Sequence, residues 1–361
     1  MIWQGTRALL RQAILALLIS LVFNATSLFG QDAKIKVGFA LPLSGDGARY
    51  GLDIQRGALM AQEDLVRRGI AVAFVSEDTQ LIPRVAATAA HKLINRDRVD
   101  VIVSLWDTAE AVAPIAEMNK IPHISIRWNP RVAEEFRHTF TFESTYISWV
   151  RANLEYLRSQ GVKRISILSD SSSAGWIEAR EYLLKVVSEF GIVIVKDIEF
   201  LGAAGDINLS IIKLLSEPSD YLFMLHDGAP IFETMKRLME RKVSIPIIGY
   251  FDGMEPPINL EGRRFIAQFD TQAWFAERYS SRFPGQRPVR AAFGFDLVSI
   301  LGELVEQLKR KPSSDEILGH LNALRDYVGA TGKISANASR NIETTCVLKE
   351  IRNGVGVRVA G

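Results

Sequence analysis

The stretch Lys34–Arg68, KIKVGFALPLSGDGARYGLDIQRGALMAQEDLVRR, constrains the fold most. Ile35, Val37 and Phe39 alternate with Lys36 and Gly38 before the run turns apolar to Leu41, the pattern of a half-buried strand entering a core. Pro42, Gly45, Gly47 and Gly51 punctuate a loop. Beyond it Ile54, Ala58, Ala61 and Leu65 recur at helical spacing, and Arg67, Arg68 and Gly69 close the helix. Strand, glycine-rich loop and helix are the first half of a βαβ unit. The loop lies at the carboxyl end of the first parallel strand, where open α/β sheets place their ligands.

The same rhythm continues. Strand-like runs at 72–75, 101–103, 123–126, 165–168, 192–198, 221–225 and 245–248 alternate with helical segments at 83–96, 108–119, 148–159, 176–190, 230–241, 274–283 and 291–309. That alternation predicts an α/β fold with parallel sheets. Ahead of it lie Arg7 and Arg11, an apolar run at 13–23 and a small-residue exit near Gly30. The run is shorter than the roughly 20 apolar residues of a membrane span, so residues 1–30 read as a cleavable secretory signal. With no cysteine at the exit, lipid attachment there is unavailable, and a soluble periplasmic product is expected. The remaining length, about 330 residues, exceeds one usual core and predicts two domains. Pattern alone cuts the chain once, near residue 145.

Charge and cysteine narrow the function classes. The chain has 43 Lys and Arg against 41 Asp and Glu, and losing Arg7 and Arg11 with the leader makes it formally neutral. No basic cluster marks a nucleic-acid partner. Cys346 is the single cysteine, so no intrachain disulfide forms. The five histidines, His91, His123, His138, His226 and His320, stand at no metal-ligand spacing. Gly51 follows Gly47 by four positions rather than the three a dinucleotide fingerprint needs, and 329–334 lacks the features of a phosphate loop. No nucleophile elbow is present. Neither enzyme chemistry, a metal nor a cofactor is expected.

The order of landmarks carries a resemblance. PLSG is followed after five residues by Gly51 with Tyr50 before it. Thr108 precedes Ala111-Val112-Ala113-Pro114 and Ile121-Pro122, and later come 164–175, 220–227, 245–253, Phe293-Gly294-Phe295-Asp296 and Gly329-Ala330-Thr331-Gly332-Lys333-Ile334. In this order the chain after residue 33 resembles the type I periplasmic solute-binding proteins of ABC transporters, in particular the branched-chain amino-acid-binding family. The resemblance implies two Rossmann-like lobes with parallel sheets, one from 31–142 plus 270–328 and one from 143–269 plus 329–361. They would be joined by three hinge crossings, near Phe142, Phe269 and Val328, with ligand in the cleft. It implies a monomer that captures a small polar solute, an amino acid or related amide or carboxylate, and delivers it to an inner-membrane ABC permease. A periplasmic sensor feeding a membrane receptor or kinase is the alternative.

The family's ligand positions map here onto Tyr50 as the facing aromatic, Asp107 and Thr108 as the strand-end pair, Trp128 and Asn129 on the second loop, and Asp252 as the far acid. Trp106, Arg127, Trp176 and Asp227 are further candidates at or near strand ends. Each has a plainer role open to it: Asp107 and Thr108 as helix caps, the indoles as core, and Asp252 as a turn residue. His226 beside Asp227 is a candidate polar wall. Departures bear on the solute. The second loop carries Arg127, Trp128 and Asn129 where the family is small and hydroxyl-rich, and Ala174 replaces the far-lobe aromatic, with Trp176 just beyond. An arginine fork suits a carboxylate, so a solute with a planar or amide part is expected at least as much as leucine, isoleucine or valine.

Overall fold

The structure, a computed structural model, describes residues 35–45, 47–201, 204–226, 228–251 and 260–359. The expected secretory signal lies outside the described residues. The first unit comprises the chain up to Glu143 together with Thr271–Glu343; the second comprises Ser144–Asp270 and the chain from Thr344 onward.

The chain opens with β1 (Ile35–Leu41), α1 (Ala48–Arg67), β2 (Val72–Asp78), α2 (Pro83–Asn95), β3 (Val101–Leu105), α3 (Ala109–Asn119), β4 (His123–Ile126), α4 (Arg131–Glu135) and β5 (Thr139–Phe142). In the second unit follow α5 (Tyr146–Ser159), β6 (Arg164–Asp170), α6 (Ala174–Val186), β7 (Val193–Phe200), α7 (Ala204–Leu214), β8 (Tyr221–Leu225), α8 (Gly228–Glu240), β9 (Ile247–Gly249) and β10 (Arg264–Ala267). The first unit resumes with α9 (Ala273–Arg282), α10 (Ala291–Leu308), α11 (Ser314–Asn322), β11 (Tyr327–Gly329), β12 (Gly332–Ala336) and β13 (Asn341–Thr344). The second ends with β14 (Val347–Arg352) and β15 (Val355–Arg358).

The first unit is built on an eight-stranded sheet, β11-β12-β13-β5-β4-β3-β1-β2. β1 to β5 pair in parallel, and β13 extends the parallel set at β5. The strand order reverses at β1: the chain goes to β2 on one side and returns to β3 on the other. The second unit repeats the scheme in its parallel sheet, β7-β6-β8-β9, with β6 at the reversal. A small antiparallel sheet, β10-β14-β15, completes it.

In the first unit α1 and α10 meet backbone to backbone. A methyl group on Gly57 would collide with the Ala291 carbonyl, and one on Gly294 with that of Ile54, so only glycine permits this crossing. Buried Asp53 pins the crossing by accepting from Ala291 N at 2.9 Å, from Arg290 N and from the Tyr279 hydroxyl. Burial pushes its carboxyl above the usual range although these donors oppose the shift. Asp296 ties two of the sequence landmarks together. It accepts from Ala330 N at 2.5 Å, Thr331 N at 2.8 Å and Thr331 Oγ1 at 2.6 Å, and burial pushes it up to about 6.

The second unit packs Leu168, Phe200, Ile211, Met224, Ile231 and Met235 between its parallel sheet and α7 and α8. On another side, buried Trp149 donates Nε1–H to the Ile266 carbonyl at 2.8 Å and meets Trp176, Phe223 and Tyr250 edge-on at 5.8–6.4 Å. Ser144, Gln268 and Thr344 tie together its two points of entry and the point where the chain leaves it. The Ser144 hydroxyl donates to Gln268 O at 2.7 Å, and Thr344 Oγ1 donates to the same carbonyl at 2.6 Å.

Two readings of the chain need correction. A single cut near residue 145 does not describe it, because the chain changes unit at Glu143/Ser144, Asp270/Thr271 and Glu343/Thr344. The third change therefore comes at the end of β13, not near Val328. β11 and β12 form a hairpin with Gly329 opposite Gly332, and β13 pairs with β5 at Asn341–Thr141 and Ile342–Phe142, which keeps 329–343 in the first unit.

Candidate functional site

The PLSG loop after β1 is held from outside. Asp78, at the end of β2, accepts from Leu43 N at 2.8 Å, Ser44 N at 3.3 Å and Ser44 Oγ at 2.5 Å. Burial opposes ionisation, yet the Ser44 hydroxyl and the backbone donors hold its carboxyl below the usual range. Gly51 then lets α1 begin directly beneath Pro42, since a methyl group there would collide with the Pro42 carbonyl. The result places Tyr50, half-buried, at the tip of β1.

Trp106 follows β3, on the other side of the reversal, and its ring meets that of Tyr50 edge-on at 4.8 Å. The Arg49 guanidinium lies over the outer Tyr50 ring at 4.7 Å. Trp106 holds a left-handed backbone, φ 50°, at which a bulky side chain is strained; such strain persists where surroundings hold it and gathers at functional positions. It opens a short 3₁₀ turn, Trp106–Thr108, that leads into α3. The Thr108 hydroxyl is buried and donates to Leu105 O at 2.7 Å, so neither it nor Asp107 caps the helix. The amino end of α3 carries no side-chain cap and lies beside the Tyr50–Trp106 pair, although its first N–H, that of Ala109, already donates to Trp106 O.

Arg127, expected as an open fork, is instead 3 % exposed. Its Nη1 donates to Glu110 at 2.6 Å and its Nη2 lies 3.8 Å from Asp107, whose side chain is 89 % exposed. Asp107 is therefore a partner of Arg127 rather than a rival to an anion. Beneath them buried His123 lies between Ser104 Oγ at 2.8 Å and Thr139 Oγ1 at 3.1 Å; burial and the Arg127 charge pull it down to about 3, so the ring is neutral. Trp128 is half-buried, and buried Asn129 accepts from Arg131 N at 3.0 Å, starting α4. Tyr50, Trp106, Asp107, Thr108, Arg127, Trp128 and Asn129 thus all lie at the carboxyl ends of β1, β3 and β4.

Behind Trp106 stands a group the sequence reading missed. The Arg290 guanidinium lies 5.9 Å from the Trp106 ring and 5.3 Å from that of Phe293, and it bonds to buried Glu143. Residues 106, 143 and 290 share no motif, so only the folded chain reveals the group.

In the second unit the candidates scatter. Trp176 is 4 % exposed within the Trp149 cluster, 6.1 Å from Tyr250. Its position on the face of α6 is a core position. His226 is fully buried against the Phe200 ring at 5.1 Å rather than lining a wall, and burial pulls it down to about 3 although Asp170 opposes the shift. Asp227 and Asp252 lie outside the described residues. At the tip of β6, Asp170 accepts from Ser172 N at 2.8 Å and Ser172 Oγ at 2.6 Å. Among the described residues no helix is long and apolar enough to cross a membrane.

Solved structures share this architecture. The leucine-binding protein LivK of Thermotoga maritima matches with a TM-score of 0.74 at 22% identity, over 90% of this chain and 98% of that one. An ABC-transporter solute-binding protein of Rhodopseudomonas palustris BisB5, in complex with 3,4-dihydroxybenzoic acid, matches at 0.75 and 21%, over 90% and 95%. The isoleucine complex of LivJ from Streptococcus pneumoniae matches at 0.73 and 20%, over 90% and 97%. At these identities the likeness speaks for the fold. No curated protein sequence matches. The family model for periplasmic binding proteins matches residues 34–349, nearly the whole described chain, and the chain accordingly belongs to the periplasmic binding protein family.

Proposed function

We propose that this chain captures an amino acid, or a related amide or carboxylate with a planar or apolar body, and delivers it unchanged to a membrane ABC permease as a monomeric, soluble periplasmic protein. The observation that carries the reading is the Tyr50–Trp106 ring pair at the reversal of strand order, next to the uncapped amino end of α3. The solute's carboxylate meets the backbone donors of α3, and its body lies on the two rings. With Glu110 and Asp107 balancing Arg127, this face is also compatible with the ammonium of an amino acid. Two similar structures carry isoleucine and 3,4-dihydroxybenzoic acid, and both ligand types belong in the first screen.

The test is a thermal-shift screen of amino acids, amides and benzoates, followed by calorimetric titration of the hits. A true solute at 100 times its Kd adds about 2.7 kcal/mol of stability. Trp106→Ala should weaken binding about tenfold or more. A screen in which no member of these classes raises the melting temperature defeats the proposal, and so does recovery of a chemically altered solute.

A further inference from the structure

We propose that Arg290, locked by Glu143, is a positioning residue for solute capture: it holds the Trp106 ring in place beside Tyr50 before any solute arrives. The proposal rests on capture at that ring pair and names what keeps the pair in order. Trp106 needs a holder. Its backbone sits at φ 50°, a conformation that is costly for a bulky residue and persists only where the surroundings over-determine it. The indole is half-buried at the tip of β3, and an unsupported ring there is free to change rotamer. Tyr50 meets it edge-on at 4.8 Å but is itself only half-buried. The Arg290 guanidinium lies 5.9 Å from the ring, within the roughly 6 Å reach of a cation–π contact, and Arg290 is 4 % exposed.

Arg290 is fixed at both ends. Its backbone N–H donates to Asp53, and the next N–H, that of Ala291, donates to the same carboxylate at 2.9 Å. Asp53 stands about one turn after Tyr50 on α1, so one carboxylate anchors both the Arg290 backbone and the turn that carries Tyr50. At its other end the guanidinium bonds through Nη1 to Glu143, which is 1 % exposed, and lies 5.3 Å from the Phe293 ring. Glu143 is held by the sheet in turn: its N–H donates to Ile342 O at 3.1 Å, and Phe142 beside it meets Phe293 edge-on at 5.2 Å. Every one of these groups belongs to the first unit. Stability alone does not call for an ion pair here, because apolar residues of like volume fill such a place as well or better. What they do not supply is a planar cation lying against an indole at a fixed point. A lysine ammonium, compact and strongly hydrated, does not supply the plane either.

The test uses the whole exported chain labelled with fluorotryptophan, with isoleucine and benzoate as calorimetric probes. Loss of one fluorine NMR line in Trp106→Phe identifies the Trp106 line, which should be single and sharp in the solute-free parent. Two variants follow: Arg290→Lys, which keeps the charge against Glu143, and Arg290→Met with Glu143→Gln, which removes both charges together. In each the Trp106 line should shift and broaden while those of Trp149 and Trp176, in the second unit, stay put. A merely structural pair would lower the melting temperature and leave the Trp106 line alone. Whichever probe binds the parent should bind each variant about tenfold more weakly. A Trp106 line unmoved in both variants overturns the proposal, as does a moved line with unchanged affinity, and either result leaves solute capture standing. Failure of both probes to bind the parent defeats capture of these classes and the proposal with it.

Discussion

Trp106 carries the most information of any single residue. A left-handed backbone costs an ordinary L-residue about 1–2 kcal/mol, and this residue also presents a ring to Tyr50. Trp106→Gly removes both at once. Its melting temperature should stay within a few degrees of the parent, because relieved strain offsets the lost ring contacts, whereas solute affinity should fall about tenfold or more by calorimetry. An unchanged affinity would show that the strained residue serves packing alone. Arg290 and Glu143 allow a sharper test. Each is about 95 % buried or more, so Arg290→Met alone strands a buried carboxylate and should cost about 3–5 kcal/mol by urea unfolding. Adding Glu143→Gln should recover much of that loss. The strand-end placement was legible because Trp106 and Arg127 follow apolar runs directly and Tyr50 closes the glycine-punctuated loop after β1. The Arg290–Glu143 support was not, since its members are brought together across 147 positions of chain. Arg127 was misjudged for a related reason: sequence shows that a cation stands at a strand tip, but not that Glu110, in the first turn of α3, already occupies it.

At the scale of elements, the crossing of α1 and α10 is set by two small residues. Gly57→Ala and Gly294→Ala each drive a methyl group into the opposing backbone and should destabilise by about 3 kcal/mol or more, read as a lower midpoint in chemical unfolding. Gly319→Ala provides the contrast. It lies exposed on α11 with nothing near its missing Cβ, so the substitution should stabilise by up to about 1 kcal/mol through helix propensity alone. A result in which all three behave alike would mean that backbone contact does not set the helix crossing. The strands of the parallel core were readable because each is a short apolar run before a turn. β12 and β13, by contrast, read GKISA and NIET, too polar and too short to declare a sheet. Their membership depends on pairing with β5, a non-local contact, and this is why the third change of unit was placed early. α11 had a readable start, since Ser313 and Glu316 form a capping box, yet its weak apolar stripe left it unassigned.

For the molecule as a whole, the sum of buried titrating groups sets how stability follows pH. His123 and His226 are both drawn down to about 3, so between roughly pH 3 and 6.5 the unfolded chain binds two protons that the folded chain refuses. Stability therefore falls as the medium acidifies through that window. Asp296, pushed up to about 6, acts in the opposite sense: it takes a proton in the folded state before the unfolded chain does, and Asp53 shifts in the same direction. Near pH 5 these effects leave about one net proton or less, a slope of at most about 1.4 kcal/mol per pH unit. His226 can be isolated from the rest, because neither ring nitrogen has a hydrogen-bond partner among the described residues and its ring rests on Phe200. His226→Leu should remove one refused proton without removing a bond. Urea midpoints measured from pH 4 to 8 should converge in slope with the parent above pH 7. Below pH 6 the variant should gain on the parent by about 1.4 kcal/mol for each further unit of acidification. Parallel curves across the whole range would mean that His226 takes its proton inside the fold, which would require a polar partner at the end of β8.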